Sequence, residues 1–247
     1  MSDKDKSEWF EAWFNSPYYH ILYDNRNDAE AEEFIHQLVN FLNLAKSSSV
    51  LDLACGDGRH CRVFANKGFD VTGIDLAPES IKVAKEKSGP HQRYGVADMR
   101  TFDLHKQFDL ITNLFTSFGY FDSSIENAKV LGRIRKHLQP DGIFVLDFLN
   151  LTSLERTLVA NEVIEKEGVR FNISRRIEGG QIIKNINFEE NGNTHEFSEF
   201  VQALSIDELT SLFIDAGFKI LATFGDYFLN TYSRAVSPRV ILLATKV

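Results

Sequence analysis

The sequence predicts an α/β protein built on a doubly wound, mostly parallel sheet of seven strands. Three observations lead there. From Ser49 to Leu149, short apolar runs alternate with helix-period segments, the pattern of strand–helix–strand units that bury a parallel sheet between helices. Two more strand-like runs, FKILATFG and RVILLATKV, follow one further helix near the end of the chain. Between these parts, glycines at hairpin spacing interrupt the alternation and mark an inserted antiparallel β subdomain.

The first helix of the alternating region is read over Asn27 to Leu44. Asn27 or Asp28 can cap it, Glu30, Glu32 and Glu33 suit its first turn, and Phe34, Leu38 and Leu42 recur at i+4. Ahead of it stands an aromatic cluster: Trp9, Phe10, Trp13, Phe14, Tyr18, Tyr19 and Tyr23. SVLDLA is a buried strand, and the helix from Arg59 to Lys67 stops at Gly68. DVTGID is the second strand, and Pro78 opens the helix running to Lys87. YGVAD, FDLITNL and GIFVLDFL are the next strands, with a helix from Ser123 to Leu138 before the last. A short helix is expected near Ser153 to Val159. The stretch from Glu162 to Leu204 is strand-like, broken at Gly168, Gly179-Gly180 and Asn191-Gly192. Ser205 as cap, Glu208 three residues on and Gly217 as stop then frame a helix over Ile206 to Ala216. The divisions expected are 1–46, 47–161, 162–204 and 205–247.

The 247 residues are 43% hydrophobic and 25% charged, which sets aside disordered and fibrous classes. The balance of 27 basic against 35 acidic residues gives −8. That charge lacks the footprint of a nucleic-acid partner. Cys55 and Cys61 make neither a disulfide framework nor a zinc site and are expected as reduced, buried thiols. The N-terminal MSDKDKSEW has no apolar core, so no signal peptide is expected. No apolar run is long enough to span a membrane. The expectation is a cytoplasmic protein.

The most informative stretch is VLDLACGDGRH, where an apolar strand ends in a Gly-x-Gly turn that opens a helix. Gly56 and Gly58 would let backbone approach a ligand, with the free N–H groups of the helix start facing it. Cys61 stands where the dinucleotide fingerprint carries its third glycine. Asp75, at the end of the second strand, can accept both hydroxyls of a ribose. Asp98, ending the third strand, can accept from an adenine amino group, with Met99 against the ring.

LDLACGDGRH, VTGIDLAPESI, GVADMRTFD, FDLITNLFTSFGYF and LGRIRKHLQPDGIFVLDF stand in order. Together they resemble a class I S-adenosylmethionine-dependent methyltransferase, from about Val50 to Asn150 and again from Ser205 to Val247. Asp141 replaces the first glycine of the family's usual L-x-P-G-G stretch. The resemblance implies a Rossmann-like sheet with S-adenosyl-L-methionine as cofactor and S-adenosyl-L-homocysteine as product. It implies that Asp52, Ala54, Gly56 and Gly58 line the methionine and ribose side. Asp75 would hold the ribose, Leu76 and Met99 would pack on adenine, and Asp98 would meet its amino group. Asn113 and Leu114 would lie below the sulfonium with Phe115 beyond, and Arg59 could reach a carboxylate. SPYYHILYDNR resembles a lid in small-molecule members, with Tyr18, Tyr19 and Tyr23 closing over the cofactor and the insert bordering the acceptor pocket.

Candidates for a general base are Tyr19, His20 and Asp122. The absence of an Asn/Asp-Pro-Pro-Tyr box, a Pro-Cys pair and a magnesium-type acidic cluster points to N- or O-methylation of a small metabolite without a metal. The insert resembles those of amino-sugar and small-amine methyltransferases, where it covers the pocket or makes a homodimer. A nucleotide-linked dehydrogenase, an RNA methyltransferase and a non-catalytic cofactor-binding module are the alternatives.

Overall fold

In a computed structural model of the chain, residues 9–23, 28–121 and 123–247 are described. Asn27, a candidate cap, and Asp122, a candidate base, lie outside them. Two short helices come first, α1 (Trp9–Phe14) and α2 (Pro17–Tyr23), then α3 (Asp28–Leu42). The alternation follows as β1 (Ser49–Leu53), α4 (Arg59–Asn66), β2 (Asp70–Asp75), α5 (Pro78–Glu86), β3 (Gln92–Val96), β4 (Phe108–Asn113), α6 (Ser124–His137) and β5 (Leu138–Leu149). After α7 (Leu151–Thr157) come β6 (Asn161–Lys166), β7 (Val169–Glu178), β8 (Gln181–Glu190) and β9 (Asn193–Gln202). The chain closes with α8 (Ile206–Asp215), β10 (Phe218–Phe224) and β11 (Arg239–Lys246).

The main sheet has seven strands in the order β10-β11-β5-β4-β1-β2-β3. Strands β3, β2, β1, β4 and β5 are parallel, and β11 runs antiparallel to both β5 and β10. Both faces are covered. Side chains alternate along each strand, so Val50, Leu110 and Val145 meet Phe34, Ile35 and Leu38 of α3 on one face. Leu51, Leu53, Ile111 and Phe144 meet Val130, Ile134 and Phe213 on the other.

Strand β5 starts directly after α6, several residues earlier than the apolar run GIFVLDFL indicates. Its pairing with β4 shifts between Phe108 and Leu110, which takes up the Gln139–Asp141 segment. Gly142 is required there, because an added Cβ would lie 2.9 Å from the Phe108 carbonyl oxygen. The capping box of α8 forms: Glu208 N donates to Ser205 Oγ at 3.3 Å, and Ser205 N to Glu208 Oε2 at 2.8 Å. Helix α7 sits two residues earlier than Ser153–Val159, with Asn150 at its cap.

The insert is a separate four-stranded antiparallel sheet, β6-β7-β8-β9. Its two-residue turns have both central residues at positive φ: Glu167-Gly168 (49° and 80°), Gly179-Gly180 (59° and 75°) and Asn191-Gly192 (51° and 78°). These are I′-type hairpins, whose twist matches that of the strands they join. Phe171, Ile173, Ile186 and Phe188 form its buried face, and α1 and α2 pack against the insert. Among the described residues, no helix is long and apolar enough to cross a membrane.

Candidate active site

The carboxyl ends of the parallel strands open into a cavity of about 660 Å³. This is where an open α/β sheet receives its ligands. Its floor comes from the turn after β1. Ala54 and Gly56 lie at φ 57° and 56°, and an added Cβ on Gly56 would meet nothing within 4 Å. The backbone is therefore bare toward the cavity. Asp75, at the end of β2, closes this turn: Gly56 N donates to Oδ2 at 2.8 Å and Ala77 N to Oδ1 at 2.9 Å. Burial raises the Asp75 carboxyl above its ordinary value, opposed by the N–H groups of Ala77, Gly56 and Leu76. Each oxygen keeps a further lone pair, and the residue lines the cavity.

Gly58 behaves differently from the expectation that it approaches a ligand. It caps α4 at φ 81°, and an added Cβ would lie 2.5 Å from the Tyr94 hydroxyl. It does not stand among the lining residues; its missing side chain makes room for a β3 tyrosine. Cys55 and Cys61 are free and buried, and burial pushes both thiols up.

Asp52 is buried on the α4 side of β1. It accepts from Thr112 Oγ1 at 2.7 Å and from the Cys61 thiol at 3.5 Å. Burial lifts its carboxyl to about 6, against these two bonds. Arg59 is buried rather than a surface residue, with its guanidinium 4.8 Å from the centre of the Phe115 ring. Both line the cavity with His60, Leu114 and Phe115. Asn113 does not. Its side chain turns into the sheet, where Nδ2 donates to the Leu53 carbonyl at 3.1 Å, so it ties β4 to β1 rather than lying below a ligand.

At the far end, Leu76, Ala97, Asp98 and Met99 form one wall. Asp98 lies two residues beyond β3 and is engaged by Arg100 through the backbone N (2.7 Å), Nε (2.9 Å) and Nη2 (2.6 Å). Burial acts to raise its carboxyl, but the Arg100 bonds prevail and hold it below the usual range. Arg100 also reaches Glu126 at 3.2 Å and sits 4.4 Å from the Phe121 ring centre.

The roof is α1 and α2. Phe10, Phe14, Tyr19, His20 and Tyr23 face the cavity. The His20 Nε2 is buried and has no partner among the described residues. Burial lowers its pKa, and the charges acting on it belong to Asp57, Lys87, Asp75 and Glu79. Tyr18 is not part of the roof: its hydroxyl donates to Glu190 and its ring packs on Phe188 at 4.5 Å and His195 at 4.9 Å, all in the insert. No insert residue is among those lining the cavity. The insert instead holds the roof from behind. Trp13 Nε1 donates to Glu199 at 2.7 Å, Tyr23 to Glu199 at 2.6 Å, and Lys166 to the Leu22 carbonyl at 3.0 Å.

One network has no motif in the sequence. Asp147, fully buried near the end of β5, accepts from Arg239 Nε at 2.7 Å, Phe115 N at 2.8 Å and the Tyr227 hydroxyl at 3.0 Å. Only the strand-end position of Asp147 and the basic residue opening β11 hint at it.

Residues 50–142 match a family described as a methyltransferase domain. The chain is 29% identical over 131 residues to a dTDP-3-amino-3,6-dideoxy-alpha-D-glucopyranose N,N-dimethyltransferase of Streptomyces fradiae, a match covering 51% of each chain. It is 30% identical to a dTDP-3-amino-3,4,6-trideoxy-alpha-D-glucopyranose N,N-dimethyltransferase of Streptomyces venezuelae, over 41% of this chain and 43% of the relative. The chain thus spans about half the length of the curated relatives it matches. Among solved structures, an S-adenosylmethionine-dependent methyltransferase from Clostridium acetobutylicum superposes with a TM-score of 0.79 at 20% identity, covering 93% of this chain and 96% of that one. The CcbJ methyltransferase from Streptomyces caelestis superposes at 0.77 and 18% identity, covering 98% and 99%. These likenesses establish the shared fold. The domain match spans the glycine turn and the strand-end acids Asp75 and Asp98, and with these relatives it supports the reading of a class I S-adenosylmethionine-dependent methyltransferase.

Proposed function

We propose that the protein binds S-adenosyl-L-methionine and methylates nitrogen or oxygen of a small metabolite, with an amine as the preferred acceptor. The observation that carries this is Asp75. Its carboxylate is pinned by two backbone N–H groups at the edge of a bare glycine turn and keeps lone pairs for a vicinal diol. The unpartnered His20 Nε2 above it fits a polar ligand in the same place. The amine preference rests on relatives whose names describe N,N-dimethylation of amino sugars. Nucleotide-linked reduction, RNA methylation and binding without catalysis are not favoured.

In this reading Asp75 holds the ribose, Leu76 and Met99 cover adenine, and Asp98, fixed by Arg100, faces its amino group. Asp52, Ala54 and Arg59 take the amino-acid end. The cofactor, when bound, supplies a methyl group already activated on sulfur. The protein then has two tasks. The strand-end wall of Leu114 and Phe115 and the aromatic roof set the line of approach, and orientation of this kind can contribute about 7–11 kcal/mol. The roof of Phe10, Phe14 and Tyr19 keeps water out. A proton released by an amine would pass to His20, which burial keeps neutral near pH 7, or be relayed by the Tyr19 hydroxyl, which gives up its own proton as it takes one. Asp122, the third candidate, lies outside the described residues. Dimerisation through the insert would use its outer face, since the inner one packs on the roof. Cytoplasmic residence and the exclusion of nucleic acid, on a net charge of −8, belong to the same reading.

Calorimetry with S-adenosylmethionine, S-adenosylhomocysteine and NAD tests the assignment. Asp75→Ala should cost about 1.5–3 kcal/mol, the worth of a charged hydrogen bond. Unchanged affinity in that variant, or tight NAD binding by wild type, would refute it. A metabolite extract incubated with labelled S-adenosylmethionine, followed by mass spectrometry, identifies the acceptor.

A further inference from the structure

Phe115 and Thr116 follow β4 in consecutive left-handed conformations, at φ 62° and 61°. Neither residue type takes that conformation readily, because its Cβ then crowds the following carbonyl oxygen. Such strain persists only where its surroundings over-determine it. Here the surroundings are one buried residue, Asp147. Its Oδ2 accepts Phe115 N at 2.8 Å and its own carbonyl accepts Thr116 N at 3.0 Å. Arg239 completes the clamp, with Nε on Asp147 at 2.7 Å and Nη2 on Thr116 Oγ1 at 2.9 Å.

The side chain held by this turn is in the cavity wall. The Phe115 ring centre lies 4.8 Å from the guanidinium of Arg59, itself a lining residue, and 6.0 Å from that of Arg239. The Tyr227 ring stacks beside it at 6.0 Å with 23° between planes, while its hydroxyl donates to Asp147 at 3.0 Å. Tyr227 touches both the ring and the carboxylate that sets the backbone, yet is not among the lining residues.

We propose that Asp147, Tyr227 and Arg239 are positioning residues for methyl transfer, acting through the left-handed Phe115–Thr116 turn that sets the Phe115 ring against Arg59. This rests on the methyltransferase reading above. The physical reason is the geometric demand of an in-line displacement, in which a displacement of about 1 Å at the wall can cost 100-fold in rate. The network does not touch Asp75 or the glycine turn and reaches the cofactor's amino-acid end only indirectly, through the Phe115 ring beside Arg59, so the chemical step should respond more than binding.

The test uses the full chain and Tyr227→Phe, which keeps the ring and the Asp147–Arg239 pair. The control is Tyr232→Phe, which removes a hydroxyl bonded to Asn150 at 3.2 Å in the same β10–β11 connection. Hydrogen exchange of the peptide containing Phe115 and Thr116 should rise in Tyr227→Phe and not in the control. With the acceptor identified above, kcat should fall on the order of tenfold, while KM and the calorimetric Kd for S-adenosylmethionine stay within about twofold. The control, whatever its melting temperature, should keep kcat. Exchange unchanged from wild type overturns the proposal, as does unchanged kcat or a fall in kcat matched by lost cofactor affinity. Failure of wild type to bind S-adenosylmethionine would instead refute the methyltransferase reading, and the exchange result would still decide whether Tyr227 holds the turn.

Discussion

Trp13 and Glu199, 186 residues apart, are joined by a hydrogen bond of 2.7 Å from the indole Nε1 to the carboxylate. The same oxygen accepts from Tyr23 at 2.6 Å. Lys184, opposite Glu199 in the β8–β9 register, donates to the Tyr23 hydroxyl. One insert carboxylate thus receives two donors from the roof of the cavity.

Glu199→Ala removes the acceptor of both donors. Leaving the buried Trp13 indole without its acceptor costs about 1–3 kcal/mol, and for a chain of this size each kcal/mol lowers melting by about 2–4 °C. The expected result is a melting temperature lower by several degrees, together with weaker S-adenosylmethionine binding, because Tyr23 lines the cavity. A variant that melts lower but binds the cofactor normally would separate the insert from the site.

Asp52 predicts an unusual pH dependence. Burial raises its carboxyl from 3.8 to about 6, so the folded state holds the proton more tightly than the unfolded chain. This group's stabilisation is present below about pH 4 and is lost as pH rises through 6. The difference corresponds to roughly 3 kcal/mol. Asp52→Asn should therefore be more stable than wild type at pH 8, by up to that amount, and nearly equal to it at pH 4. Denaturant titrations of both proteins at the two pH values, without cofactor, check this. An equal difference at both would show that Asp52 ionises normally.

The two glycines of the turn should separate in their response to alanine. At Gly56 the penalty is conformational, about 1–2 kcal/mol, because the added Cβ meets open space. At Gly58 the same penalty is joined by collision with the Tyr94 side chain, its hydroxyl at 2.5 Å and its ring carbons at 2.8 Å. Thermal unfolding should place Gly58→Ala well below Gly56→Ala, and Tyr94→Leu should restore part of the loss. S-adenosylmethionine should rescue Gly58→Ala more than Gly56→Ala, whose methyl group would intrude on the ligand. Equal melting temperatures would remove the Tyr94 contact as a cause.

What the sequence made legible was local. The I′ turns at Gly168, Gly180 and Gly192 and the capping box at Ser205 depend on neighbours a few residues away. So does the turn of the glycine loop, and Asp75 follows from ending an apolar strand behind it. What was hidden depends on which face a strand-end side chain takes and on distant partners. Asn113 and Leu114 are adjacent, yet one bonds Leu53 inside the sheet and the other lines the cavity. Asp147 and Arg239 meet across 92 residues because β11 pairs with β5. The insert was expected to border the pocket, since it leaves the same sheet edge. Its apolar face packs on α1 and α2, and those helices take the position next to the cavity.

Tyr18 and Tyr19 give the last prediction, because successive residues of a helix point about 100° apart. Tyr18 is spent on the insert, bonded to Glu190 and packed on Phe188. Tyr19 faces the cavity, with its ring 5.0 Å from Phe14 and 4.9 Å from Tyr23. Tyr18→Ala should therefore lower the melting temperature, while cofactor affinity and turnover per folded molecule stay near wild type. Tyr19→Ala should do the reverse: little loss of stability, with cofactor affinity or turnover reduced on the order of tenfold, since a roof that admits water and loosens alignment loses the gain from orientation. Tyr19→Phe keeps the ring and distinguishes the two duties of the side chain. If it matches wild type, the ring closes the roof and the hydroxyl takes no part in proton transfer. If it falls with Tyr19→Ala, the hydroxyl is the working group. A melting temperature that collapses in Tyr19→Ala with normal turnover of the folded fraction would place Tyr19 in the core and refute the roof.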